Sequence, residues 1–72
     1  GKTYAFLERL FTKNEIFYCF KNKNRAQHLC ARFCAKEAVI KALSGFGIND
    51  VYYSDVEILN NENKMPYAVI KN

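Results

Sequence analysis

The hydrophobic period of this chain switches between Leu43 and Asp55, and that switch restricts its fold more than any other feature. From Arg25 to Leu43, Leu29, Phe33, Ile40 and Leu43 recur at intervals of three, four and seven. Cys30, Ala31, Cys34, Ala35 and Ala38 fill in as small residues. That spacing predicts one long amphipathic helix over 25–43. From Asp55 to Leu59, polar and apolar residues alternate, as in a half-buried strand. Helices first and strands last place the chain in the α+β class.

The remaining elements follow from local signals. Residues 4–11 are apolar at Tyr4, Leu7 and Phe11, with Phe6 and Leu10 beside them, so they read as the end of a helix. Thr12-Lys13-Asn14-Glu15 has the form of a capping box. It opens a second helix over about 13–21, with Ile16, Phe17, Cys19 and Phe20 as its apolar side. Lys21-Asn22-Lys23-Asn24 is a polar break, and Asn24 with Gln27 forms a second possible cap pair. Ser44-Gly45-Phe46-Gly47 ends the long helix, since glycine takes the left-handed conformation at low cost. Asn60 to Lys64 is turn chemistry. Pro66-Tyr67-Ala68-Val69-Ile70 is a second strand, with proline at the first position, where it is tolerated. The two strands make a hairpin, which needs the long helix or further strands to be stable.

The length of 72 residues allows one domain at most, spanning 1–72. A domain of this size buries only about 60% of its unfolded surface and is marginal alone. Half the residues are apolar, which excludes a disordered chain. The sequence opens at Gly1 and breaks off just after a strand-like run, so we expect an internal piece of a longer chain. The net charge of +4 is uneven: residues 1–41 carry the basic excess and residues 42–72 an acidic one. A basic first half suits a polyanionic partner, whether nucleic acid, a phosphorylated cofactor or an acidic protein; a solvated charged surface is the plain alternative.

The three cysteines fit packing thiols in a reducing cytosol. Cys30 and Cys34, one turn apart on a helix, are badly placed for a disulfide. His28, Cys30 and Cys34 lack the further ligands of a zinc site. No apolar run approaches the roughly 20 residues of a membrane span, and no signal peptide is visible.

The chemistry concentrates on the long helix. Phe33, Glu37 and Lys41 are spaced by four and share a face, with Arg32 and Lys36 in a parallel row. The pattern reads as one carboxylate ringed by three cations. On spacing alone, Glu37 and Lys41 are an exposed ion pair worth about 0.2–0.5 kcal/mol. The same pair could instead serve group transfer from a pyrophosphate. That chemistry needs a divalent cation on one or two carboxylates, cations against phosphate charge, and an acid or ammonium at the leaving group.

Phe33-Cys34-Ala35-Lys36-Glu37-Ala38-Val39-Ile40-Lys41 resembles the F-x-A-K-E-A-x-x-K signature of the holo-acyl-carrier-protein synthase family, a type of 4′-phosphopantetheinyl transferase. Family members usually have Ala at the position of Cys34. Phe6-Leu7-Glu8-Arg9-Leu10-Phe11-Thr12 with Glu15 is similar to the family's F-x-E-R-I-[FL]-T-x-x-E segment. Gln27-His28-Leu29 is similar to its lead-in. Asp55-Val56-Glu57-Ile58 and Pro66-Tyr67 resemble its D-I-E-[IV]…G-[KR]-P hairpin. The blocks run in order from about residue 6 to 70.

The resemblance implies an enzyme that moves the 4′-phosphopantetheine arm of coenzyme A onto a serine of apo-acyl carrier protein, releasing 3′,5′-ADP, in fatty acid biosynthesis. It implies Mg²⁺ at Glu37 and the pyrophosphate near Lys41. Arg32, Lys23 and Arg25 would lie near the coenzyme A phosphates, and Arg9 would face the carrier protein. Lys36 belongs to the signature without an assigned role. The implied setting is cytoplasmic, with a homotrimer at full length and no nucleic acid or membrane as partner.

Three parts of the family pattern are not matched within this sequence. The family's G-[IV]-D strand, whose aspartate is the second metal ligand, is expected before Gly1, outside this sequence. The sequence stops before the position where the family's S-[IV]-[ST]-H strand is expected. At Asn63-Lys64-Met65-Pro66 the family's glycine is replaced or shifted. Two other readings stay open: a small basic module binding nucleic acid through phosphate contacts and aromatic stacking, and an inactive truncated remnant of the transferase.

Overall fold

The structure, a computed structural model, describes residues 2–71, with side chains from residue 5 onward. It is α+β: three helices followed by an antiparallel two-stranded hairpin. Helix α1 spans Lys2–Leu10, α2 Lys13–Phe20 and α3 Arg25–Gly45; strand β1 spans Val56–Asn60 and β2 Pro66–Ile70. A 3-10 turn, Tyr53–Asp55, leads into β1. The part of Tyr4 in the α1 apolar pattern lies outside the described side chains.

The capping box at the start of α2 forms as its sequence predicts. Thr12 Oγ1 accepts from Glu15 N at 3.2 Å, and Glu15 Oε1 accepts from Thr12 N at 2.8 Å. The Asn24–Gln27 cap does not form. Asn24 sits at φ −98, ψ 53 and makes no side-chain cap bond, so its side chain is not aimed at the helix amides. At the other end of α3, Gly47 takes φ +85. Ile48 N donates to Leu43 O and Gly47 N to Ser44 O, both at 2.9 Å, closing the helix with a Schellman motif.

In the hairpin, Val56 faces Ile70, Ile58 faces Ala68 and Asn60 faces Pro66. Its turn is organised by Asn61, whose Oδ1 accepts from Asn63 N at 2.9 Å and Met65 N at 3.0 Å. Lys64 takes φ 63, the left-handed conformation that a glycine would adopt without a Cβ penalty.

The core is small. Phe11, Ile16, Cys19, Val56 and Ile58 are its buried apolar residues. From α3 the buried residues are Arg32 and Lys36. Leu29, Phe33, Ile40 and Leu43 are only half-buried, although their spacing points to the core. Lys36 occupies the middle of that same stripe, three residues after Phe33 and four before Ile40, and so faces the interior with them. Cys30 and Cys34 are exposed, so the reading of both as packing thiols does not hold; only Cys19 is buried.

Candidate active site

The long helix can present functional side chains only if something holds its rotation, and the buried charges do this. Lys36 Nζ donates to Glu15 Oε1 at 2.6 Å, Tyr53 O at 2.8 Å and Val56 O at 2.5 Å. An ammonium has three donors, so none is left over. Glu15 is equally engaged, because its Oε2 also accepts from Ile58 N at 2.8 Å. Arg32 Nη1 donates to Ile58 O at 2.8 Å. The edge of β1 that faces α2 and α3 is therefore capped at Val56 O, Ile58 N and Ile58 O by three charged side chains. Polar backbone atoms at a sheet edge need such partners when water is excluded.

Burial pushes the Lys36 ammonium below the ordinary lysine range, and the Glu15 carboxylate works against that shift. A second buried carboxylate, Glu57, lies beside this cluster. Thr12 Oγ1 donates to its Oε2 at 2.5 Å, and Lys71 Nζ lies 2.8 Å from its Oε1. Burial alone would raise the Glu57 pKa. The bonds from Lys71 and Thr12, with the charge of Lys71, outweigh burial and hold it below its ordinary value. Burial raises the Cys19 thiol, and the neighbouring Arg32 guanidinium opposes this without cancelling it.

The sequence-predicted site residues divide into two groups. Arg32 and Lys36 turn inward, so they do not ring Glu37 as the parallel-row reading expects. Glu37 is half-buried and Lys41 exposed, one turn apart on α3. Among the described residues the ion pairs are Lys36–Glu15 and Lys71–Glu57, so Glu37 is not engaged with a cation. Phe33, one turn before Glu37, stacks on Tyr53 with ring centroids 5.1 Å apart, which fixes that face of the helix against the 3-10 turn. Lys23 and Arg25 are exposed at the start of α3, and the Arg25 guanidinium covers the Phe20 ring at 4.8 Å. Arg9 is exposed in the last turn of α1, where a cation suits the helix dipole.

Arg32 also forms part of the wall of a cavity between α2, α3 and the hairpin, shared with Tyr18, His28, Asn60 and Pro66. Its guanidinium lies over the Tyr18 ring at 4.5 Å, and its buried Nε has no hydrogen-bond partner. His28 packs edge-on against Tyr18 at 5.7 Å.

Among the described residues no three metal-ligating side chains converge. A magnesium ion does not need such a cluster, since it is commonly bound through one or two carboxylates with water and substrate phosphates. A disengaged carboxylate on an anchored helix, one turn from a lysine, fits that donor set.

Comparison with known proteins decides the family. The family model described as the 4′-phosphopantetheinyl transferase superfamily matches residues 2–71. The chain belongs to this superfamily. Curated relatives agree. A holo-[acyl-carrier-protein] synthase of Protochlamydia amoebophila (strain UWE25) is 52% identical over 65 residues, covering 90% of this chain and 53% of the relative. One from Geobacter sp. (strain M21) is 44% identical over 59 residues, covering 81% of this chain and 46% of the relative. One from Caldanaerobacter subterraneus subsp. tengcongensis is 46% identical over 66 residues, covering 92% and 51%. The chain thus spans about half the length of these curated relatives. No solved structure matches it.

The inward roles of Glu15, Lys36 and Glu57 were missed in the sequence, though a signal for one of them was there. Lys36 stands where the apolar stripe of α3 requires a core residue, which marks it as buried and therefore paired.

Proposed function

We propose that this chain is a partial phosphopantetheinyl transferase domain, spanning 1–72, whose full-length protein moves the 4′-phosphopantetheine arm of coenzyme A onto a serine of apo-acyl carrier protein. The observation that carries the reading is the pair on α3: a half-buried Glu37 carboxylate without a cation partner among the described residues, one turn from an exposed Lys41. The family match over residues 2–71 supports it.

In this reaction the serine oxygen forms a bond to the β-phosphorus of coenzyme A as the bridging P–O bond breaks. The serine proton passes to solvent, and 3′,5′-ADP leaves with the electron pair of the broken P–O bond. Glu37 would hold Mg²⁺, which when bound offsets pyrophosphate charge and orients the phosphates. Lys41 stabilises the charge that develops on the leaving phosphate, or protonates it. Arg32, Lys23 and Arg25 contribute positive charge toward the coenzyme A phosphates. Arg32 lines the cavity between α2, α3 and the hairpin, which supports its place in that group. Arg9 steers the acidic carrier protein toward α1.

The partial transferase-like fold, the homotrimer, the cytoplasmic setting and the part in fatty acid biosynthesis belong to the same proposal. Among the described residues no helix is long and apolar enough to cross a membrane.

The test is product analysis. The full-length protein, incubated with coenzyme A, Mg²⁺ and apo carrier protein, should add the phosphopantetheine mass to the carrier serine and release 3′,5′-ADP. An unmodified carrier with folded protein and both substrates present would contradict the reading.

A further inference from the structure

We propose that Lys36, through its buried pair with Glu15, is a positioning residue that sets the orientation of Glu37. This inference rests on the reading of Glu37 as a metal ligand and adds a role for the residue before it.

Three observations carry it. Lys36 is fully buried and ties α3 to α2 through Glu15, and to the segment leading into β1 through Tyr53 O and Val56 O. Each of these contacts is directional, and together they leave the ammonium one placement. Glu37 is the next residue, about 100° around the helix axis. Any rotation of α3 that moved Lys36 from its three acceptors would swing Glu37 by a comparable angle.

The Phe33–Tyr53 stack holds one face of α3, and the buried charge pair adds a directional restraint that the other apolar contacts of the helix supply less sharply. Leu29, Phe33, Ile40 and Leu43 are only half-buried, and apolar packing tolerates small rotations that a three-acceptor ammonium does not. A buried ion pair is also a poor device for stability alone, because apolar replacements are often neutral or better. Retaining one here is better explained by orientation. Misplacement by about 1 Å at a reacting centre can cost on the order of 10²-fold, so the setting of this turn matters.

The test separates positioning from folding by measuring metal binding without turnover. Mn²⁺ is titrated into the full-length protein with coenzyme A and no carrier protein, and free Mn²⁺ is followed by its paramagnetic resonance signal. Wild type is compared with Glu37→Gln, Lys36→Met and Glu15→Gln. Glu37→Gln should weaken binding strongly. Lys36→Met and Glu15→Gln should each weaken it about 10-fold or more, at a temperature where their melting curves show folded protein. If Lys36→Met does not fold, Glu15→Gln decides the matter, since it keeps the shape of the side chain and removes its charge. Wild-type Mn²⁺ affinity in the folded variants, alongside a weakened Glu37→Gln, overturns the positioning role and leaves the metal reading standing. Equal affinity in wild type and Glu37→Gln overturns both.

Discussion

Lys36 Nζ lies 2.6 Å from Glu15 Oε1, and neither side chain is exposed. The contact joins the middle of α3 to the first turn of α2, so removing either partner leaves a charge buried alone. Lys36→Ala is expected to destabilise the full-length protein by about 3–5 kcal/mol. Combining Lys36→Met with Glu15→Gln should cost less than the two single changes summed, by about 1 kcal/mol or more. Urea denaturation of the four proteins in the cycle measures this, and strictly additive costs would show that the two groups do not depend on each other.

Glu57 gives the fold a pH dependence of defined sign. Its folded-state pKa lies below the ordinary value despite burial, because of Lys71 and Thr12. The unfolded chain therefore takes up a proton at this site before the folded one does. Its stabilising contribution is fully present above the ordinary glutamate pKa and is lost as pH falls through the folded value. Thermal melts between neutral and acid pH should show Lys71→Met with a shallower acid decline than wild type. Parallel declines would remove Lys71 from this role.

The hairpin turn contains a strained position. Lys64 adopts φ 63, where a residue with a Cβ is disfavoured by about 1–2 kcal/mol. Lys64→Gly relieves that cost while adding unfolded-state freedom, so a net gain of about 0.5–1 kcal/mol is expected. A lower melting temperature for Lys64→Gly would mean that the side chain, not the backbone, governs the turn.

The order of elements was legible because each is written in local chemistry. The capping box at Thr12 and Glu15 and the left-handed Gly47 after the long helix act within a few residues, and the structure keeps them; the strand foreseen from Asp55 forms, but Val56, Glu57 and Ile58 are all buried in place of a half-buried alternation. Pro66 begins β2 as its constraint requires. The interior was less legible. Lys36 and Arg32 look like surface cations in any count of charge, and their burial depends on Glu15 and on carbonyls of residues 53–58, which are distant in sequence. Glu57 reads as the solvent side of an alternating strand until Thr12 and Lys71 are seen to cover it. Glu37 and Lys41 remain where helical spacing puts them, on the less buried side of α3.

Lys41 supplies a separate test of the chemistry. It is exposed, and its removal should leave the fold intact. Lys41→Ala in the full-length protein is expected to lower kcat by about 10²-fold, the scale for losing one group that stabilises developing charge. KM for coenzyme A should change much less. A change confined to KM would make Lys41 a binding residue only.

The proposed role of Glu37, holding the metal ion of the full-length transferase, stands or falls on one experiment. It measures the rate of carrier-protein modification by the full-length protein as a function of Mg²⁺, for wild type and Glu37→Gln, followed by mass spectrometry of the carrier. Wild type should show a saturable Mg²⁺ dependence, and Glu37→Gln should lose modification at every Mg²⁺ concentration where wild type is active. Full activity of Glu37→Gln, with wild-type Mg²⁺ dependence, would contradict the claim.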